Sequence, residues 1–223
     1  NKDRFKVYVY SFGKSSDSDE IRKKLKVSVD VFRDVINLDE KNIALLSRED
    51  EIDIAIDLKG YTRNSRPKIF AYRAAPIQIN FLGYPGTSGA DFMDYIIADT
   101  VIIPKNKRNC YSEKKIYLPF TYQPNSYLAS ALIKNFTKSE MELPEKGFIF
   151  CCFNNSYKIT PNEFNIWMRL LKRVDGSVLW LMGSNKWAEN NLYKEAEKRG
   201  IKSNRLIFAK KLSYSDHLAR CKL

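Results

Sequence analysis

Histidine is almost missing from this sequence. There is one, His217. A Ser-His-Asp triad would need it and partners around it, and no Gly-x-Ser-x-Gly elbow occurs, so a triad hydrolase is poorly supported. The four cysteines, Cys110, Cys151, Cys152 and Cys221, form no CxxC pair and no Cys/His cluster. That pattern excludes a zinc site of the usual spacing. Cys151 and Cys152 are neighbours in an expected strand and point to opposite faces. They are expected to be buried, reduced and inert, which suits a cytoplasmic location. The apolar runs fall far short of the roughly 20 residues a membrane helix needs, so no membrane partner is expected. No GxGxxG or Walker loop occurs, so nothing argues for NAD or ATP. Asp57 and Asp99 stand at strand ends without a DxD-like companion. No metal and no other cofactor is expected.

What the chain does have is positive charge, +12 over 223 residues. A nucleic-acid binder is one reading of such a balance. Here the basic residues are dispersed, with acids beside many of them, as in SREDEID and KEAEKRG. No Arg-rich helix and no basic run with interleaved aromatics occurs. The charge is taken as general support for anionic ligands, and no nucleic-acid partner is expected. The opening NKDRFKVYVY has neither an apolar h-region nor a small-residue cleavage site. It begins on a strand-like pattern, and LARCKL ends in what reads as mid-helix, so the expectation is a fragment of a longer polypeptide.

The chain is organised around residues 148–163, FIFCCFNNSYKITPNE. Residues 148–153 have the length and bulk of a buried strand. Asn154, Asn155, Ser156, Tyr157 and Lys158 make a polar loop. Thr160 fits a helix N-cap, Pro161 fits N1, and Glu163 fits the returning acid of a capping box. In an open α/β sheet, ligands bind at this edge of the strands. Free N–H groups at a helix start attract phosphate, and Lys158 adds a full charge. The loop therefore reads as phosphate-facing; the alternative is an ordinary strand–loop–helix corner with a solvated lysine.

Taken in order, strands are predicted at residues 5–10, 52–57, 76–82, 95–98 and 115–119. Between them lie a polar loop at 13–19 and helices at 19–25, 39–49 and 66–73. The strand at 52–57 places Ile52, Ile54 and Ile56 on one face. Residues 126–145 are polar and lie between Pro124 and Pro144; they read as a connection between domain 1–125 and domain 146–223. The second domain alternates strand and helix: 148–153, 160–173, 177–182, 185–199, 205–209, and a helix from Ser213. Phe164, Trp167, Met168 and Leu171 recur at the spacing of a buried helical face. Such alternation implies a parallel, doubly wound α/β sheet. The first domain reads the same way less clearly.

Two further features stand out. Residues 83–89, GYPGTSG, form a turn-rich loop whose glycines allow close backbone approach to a ligand; a plain tight turn is the alternative. Ser213 fits an N-cap with Asp216 as its N3 acid, which places His217 and Arg220 near the start of the last helix. They could meet a base or ribose over the strand edge, or form a simple surface pair. Asp91 and Asp94 read as turn-capping or solvated acids.

Residues 53–99 (DIAIDLKGYTRNSRPKIFAYRAAPIQINFLGYPGTSGADFMDYIIAD), YSEKKIYLP after them, FCCFNNSYKITP and WMRLLKRVDGSVLWL closely resemble the catalytic region of the O-linked N-acetylglucosamine transferase and SPINDLY family. The resemblance implies a GT-B fold of two Rossmann-like lobes, both incomplete here. Residues 1–125 would belong to the amino-terminal lobe and 146–223 to the first half of the UDP-binding lobe. It implies inverting transfer of N-acetylglucosamine from UDP-GlcNAc to Ser/Thr hydroxyls, with a nucleotide-sugar donor and a protein or peptide acceptor as partners. Lys158 would contact the donor diphosphate and stabilise the leaving group. Asn155 stands where many members carry Gln, Tyr214 where some carry a lysine near the ribose, and His217 and Arg220 would hold the uracil. Gly83, Tyr84, Pro85, Gly86 and Thr87 would lie beside the sugar and acceptor. The GYPGTSG form resembles the O-GlcNAc transferase branch more than the SPINDLY branch, whose donor is GDP-fucose. Fucosyl transfer and a degenerate, non-catalytic nucleotide-sugar binding module are the alternatives. Tetratricopeptide repeats are expected upstream, and residues 1–223 alone are expected to be inactive.

Overall fold

The structure, a computed structural model, describes residues 3–14, 20–124 and 134–223. It divides into two compact units, Asn1–Asn125 and Ser126–Leu223. Part of the predicted loop at 13–19 and of the predicted connection at 126–145 lies outside the described residues.

In the first unit, β1 (Tyr8–Ser11) pairs in parallel with β2 (Val31–Asp34), and α1 (Glu20–Ser28) stands between them in sequence. Strand β2 was not expected: its VFRD is too short and too charged to show a period. Helix α2 (Glu40–Glu49) starts at Asp39, whose Oδ1 accepts from the Asn42 N–H at 2.8 Å. Then follow β3 (Ile54–Asp57), α3 (Lys68–Ala71), β4 (Ile77–Asn80), β5 (Tyr95–Ala98) and β6 (Lys114–Tyr117). These four strands form a parallel sheet in the order β3-β4-β5-β6.

The two faces of that sheet differ sharply. Ala55 packs toward Val35, Ile43, Ala44 and Ile69, the core beneath α2 and α3. Gln78 is fully buried and fully satisfied: its Oε1 accepts from Ala74 N–H, and its Nε2 donates to the carbonyls of Phe70 and Phe92. The other face carries the isoleucines. Ile54 and Ile56 share one face, as the alternation predicts, but each is 47% exposed. In register beside them stand Ile77 and Ile79, and Ile97 lies beside Ile116. Ile77 and Ile116 are exposed as well. Parallel sheets normally have both faces covered; here Ile79 on this face is buried, while Ile54, Ile56, Ile77 and Ile116 are exposed.

The second unit runs β7 (Ile149–Cys152), α4 (Pro161–Arg173), β8 (Val178–Met182), α5 (Lys186–Lys198), β9 (Leu206–Ala209) and α6 (Tyr214–Arg220). Its sheet is parallel, ordered β7-β8-β9. On one face Phe164, Met168 and Leu171 of α4 meet Leu179, Leu181 and Ala196. Trp167 packs at the edge of this cluster, as the helical spacing predicts. The other face is built by Val178, Trp180, Ala209 and Leu143. Leu143 belongs to the stretch read as a connection. It is buried against the second sheet because that face has no helix of its own in sequence order before α6.

Two cysteines need correction. Cys152 is half-buried against the α4 side, but Cys151, on the opposite face, is exposed. Gly200 ends α5 at φ +73°, the left-handed conformation a C′ glycine adopts at little cost. Arg205 closes the far end of α4. Its guanidinium donates to the carbonyls of Leu171 (2.8 Å) and Val174 (3.1 Å), to the Ser177 hydroxyl (2.9 Å) and to the Ser177 carbonyl. Carbonyls at a helix C-terminus lack partners within the helix, and here one side chain supplies them.

Candidate functional site

Helices α4, α5 and α6 each begin where a strand of the second sheet ends. The polar groups between them are therefore gathered along one edge. After β7, Ser156–Lys158 form a short 3-10 turn that leads toward α4. Asn155 and Lys158 are exposed, and the Lys158 ammonium has no side-chain partner among the described residues. Thr160 takes the N-cap place and Pro161 the first helical turn, as the sequence predicts. The capping box does not form. The Thr160 hydroxyl bonds the Glu163 carboxylate instead of accepting a backbone N–H. The first-turn N–H groups of α4 thus carry no side-chain cap.

The loop after β8 was missed by sequence reasoning. Asn185 caps α5 by accepting from Ala188 N–H at 2.9 Å, and Ser184 donates to the Ser156 hydroxyl at 3.2 Å. The signal was available in Gly-Ser-Asn following a strand. It joins the β8 corner to the β7 corner.

After β9, Ser213 caps α6 by accepting from Asp216 N–H at 3.2 Å, as predicted. The Asp216 carboxylate does not reach back; it pairs with Lys134 at 3.3 Å. Tyr214 opens the helix and is 78% exposed. His217 lies edge-on to Phe153, ring centroids 5.1 Å apart. Phe153 directly precedes Asn154 and Asn155, so the β7 loop and α6 touch. Arg220 is only 1% exposed. Its guanidinium lies 4.6 Å from the Phe153 ring centroid and 5.5 Å from that of Trp180, beside two rings that also touch each other edge-on. It donates to the Lys210 carbonyl at 2.7 Å and to His217 Nδ1. No carboxylate pairs with it among the described residues. Burial lowers its pKa, and burial, then the adjacent Arg220 charge, lowers that of His217.

In the first unit, residues 83–89 leave the carboxyl end of β4. Their glycines serve the chain's own backbone. A Cβ on Gly83 would stand 2.3 Å from the Leu58 carbonyl oxygen and 2.9 Å from Lys59 Cα. The absence of a side chain lets the loop after β4 lie on the loop after β3. Gly86 faces the Tyr84 ring. Tyr84 and Gly83 are exposed, and Pro85, Gly86 and Thr87 are half-buried. A small pocket of about 10 Å³ is lined in part by Asp57, Tyr61, Asn80 and Tyr84. Asp57 and Asp99 are turn residues: Asp57 accepts from Lys59 N–H, and Asp99 from the N–H groups of Val101, Ile102 and Tyr122. Asp94 accepts from Gln78 N–H and pairs with Arg73 at 2.9 Å. Among the described residues no group of three or more His, Cys, Asp or Glu side chains could hold a metal, and no helix is long and apolar enough to cross a membrane.

Comparison with known proteins gives a consistent result. The model of glycosyl transferase family 41 matches residues 1–129 and 125–223. The chain is 35% identical over 225 residues to the Arabidopsis thaliana probable UDP-N-acetylglucosamine–peptide N-acetylglucosaminyltransferase SEC, an alignment covering 99% of this chain and 23% of that protein. It is 37% identical over 184 residues to the corresponding SPINDLY protein of Hordeum vulgare, covering 78% of this chain and 18% of the relative. Among solved structures, a lysine-to-methionine variant of the Thermobaculum terrenum O-GlcNAc transferase superposes with a TM-score of 0.82 at 28% identity, over 96% of this chain and 40% of that one. The chain thus spans about a quarter or less of the two plant relatives' lengths. The parallel α/β build of both units and this likeness bear out the expected GT-B class. By family model, sequence and fold alike, the chain belongs to glycosyl transferase family 41.

Proposed function

We propose that this chain carries donor-binding elements of an inverting enzyme that transfers N-acetylglucosamine from UDP-GlcNAc to Ser/Thr hydroxyls of proteins. One observation carries the reading. At one edge of the second sheet, Lys158, unpaired among the described residues, stands beside an uncapped helix start and adjoins, across Phe153, a histidine and a buried arginine that has no acid partner among them. The first pair suits a diphosphate, and the second suits the carbonyls of a base. Arginine only donates, so His217 Nδ1 accepts from Arg220 and the ring is neutral with its proton on Nε2. That N–H is a donor of the kind a pyrimidine carbonyl takes. Tyr214 and Asn155, both exposed on this edge, are placed by the same reading near ribose and phosphate.

During transfer the bond from the anomeric carbon to the diphosphate oxygen breaks, and negative charge develops on the departing nucleotide. Lys158 and the α4 N–H groups meet that charge where electrostatic stabilisation counts most. The reading calls for no metal cofactor, because these groups supply the positive charge. Gly83, Tyr84, Pro85, Gly86 and Thr87 are assigned to the sugar and acceptor side. Residues 1–223 alone are expected to turn over little or no donor.

The test is thermal stabilisation of the full-length polypeptide and its Lys158→Ala form by UDP, UDP-GlcNAc, UDP-glucose and GDP-fucose. Stabilisation by UDP and UDP-GlcNAc, weakened in the variant, supports the proposal. A response to GDP-fucose alone moves it to fucosyl transfer. Silence toward every nucleotide leaves a non-catalytic member of the family.

A further inference from the structure

Glu113 belongs to YSEKKIYLP and stands one residue before β6. It is 1% exposed, and no cation pairs with it among the described residues. A buried carboxylate without a counter-ion is costly unless its oxygens are hydrogen-bonded. Here they are. Oε1 accepts from the Ser88 N–H (2.6 Å) and the Ser88 hydroxyl (2.5 Å). Oε2 accepts from the Thr87 hydroxyl (2.7 Å) and the Ser112 hydroxyl (3.3 Å). Three of these four donors belong to the GYPGTSG loop. Bonds to an ionised acceptor are roughly twice as strong as neutral ones. Burial works against the charged form, but bonds from Ser88 and Thr87 prevail and hold the carboxyl below its ordinary pKa.

The same loop is gripped at its carbonyls. Asn80 Nδ2 donates to those of Tyr84 (3.3 Å) and Gly86 (3.2 Å). The Tyr111 hydroxyl donates to Pro85 at 3.1 Å, and the Tyr61 hydroxyl to Ser88 at 2.6 Å. Thr87 Oγ1 accepts in turn from the N–H groups of Gly89 (3.1 Å) and Ser112 (3.2 Å). If the loop moves, the Glu113 carboxylate loses three of its four donors. A neutral residue in its place would carry no such penalty.

We propose that Glu113 is a positioning residue, whose buried charge locks residues 83–89 in the shape that sugar transfer requires. The proposal rests on the functional reading above. It acts through Thr87 and Ser88, and a displacement of about 1 Å in such a loop costs on the order of 100-fold in rate.

The test compares full-length wild type with Glu113→Ala and Glu113→Gln in three measurements: amide hydrogen exchange over residues 84–89, UDP affinity, and kcat and KM for peptide glycosylation. In the alanine form, exchange over the loop is expected to rise about tenfold. UDP affinity is expected to stay within about twofold of wild type, and kcat/KM to fall about 10- to 100-fold, mostly in kcat. Glutamine keeps the shape and one acceptor oxygen, so it should restore part of both losses. Unchanged loop exchange overturns the proposal, as does raised exchange with wild-type kcat/KM. Loss of UDP affinity equal to the loss of transfer also overturns it, because the effect is then general unfolding. Wild type that binds UDP without transferring sugar would instead overturn the functional reading and the catalytic half of this proposal; the exchange data would still decide the lock.

Discussion

Arg220 grips one nitrogen of His217, with its Nε 3.1 Å and its Nη2 2.7 Å from Nδ1. A protonated Nδ1 would point a hydrogen at a guanidinium, so the imidazole is held neutral. Its folded pKa lies below the ordinary value of about 6.5. As pH falls, the unfolded chain takes up this proton first. The neutral ring therefore contributes stability that is complete above about pH 6.5 and is lost as pH falls through the folded value. In a nitrogen-detected NMR titration, His217 should show the Nε2–H tautomer and a depressed midpoint. Arg220→Ala should move the midpoint back up.

Lys158 is exposed and unpaired among the described residues, so its loss should cost the fold almost nothing. Lys158→Ala is expected to leave the melting temperature of the unliganded protein unchanged and to lower kcat about 100- to 1000-fold. Parallel melting curves and single-turnover kinetics would separate the two. A drop in stability without nucleotide would assign the lysine to the fold.

Two glycines of one loop should respond differently to alanine. At Gly83 a Cβ would collide with the Leu58 carbonyl at 2.3 Å, and the obstacle is backbone. At Gly89 there is open space, but φ is +63°. Gly83→Ala should cost about 3 kcal/mol as an overpacking defect. Gly89→Ala should cost about 1 kcal/mol as left-handed strain. Denaturant melts give the order directly.

Arg205 satisfies the carbonyls of Leu171, Val174 and Ser177 with one guanidinium. Its replacement by alanine should destabilise the second unit by about 2–3 kcal/mol, the cost of leaving such acceptors unpaired. Arg205→Lys should recover less than half, since an ammonium cannot span the fork. Chemical denaturation followed by the fluorescence of the unit's tryptophans, Trp167, Trp180 and Trp187, would show it.

The second unit was legible because its strands are apolar runs, its helices have period 3.6, and Ser213 stands as a cap at a strand end. The Ser213 cap and the Phe164–Leu171 face follow from local rules alone. Other features depend on contacts distant in sequence. Glu113 looks like any solvated acid until Thr87 and Ser88, some 25 residues away in sequence, fold over it. Cys151 sits in an apolar run, but which face of a strand is covered depends on the neighbouring elements. The isoleucines of β3 show a clear alternation, and alternation identifies a face without saying whether anything lies on it. The capping box is absent at Thr160 because its hydroxyl and Glu163 satisfy each other and not the backbone.

Those exposed isoleucines have a consequence for how the protein is made. A ribosome that has released residues 54–117 has released a sheet whose Ile54, Ile56, Ile77 and Ile116 face water. The race between the arrival of a covering layer and the meeting of two such sheets then decides the yield of folded product. Slow synthesis at low temperature and a generous supply of chaperones should favour the first, and crowded overproduction the second.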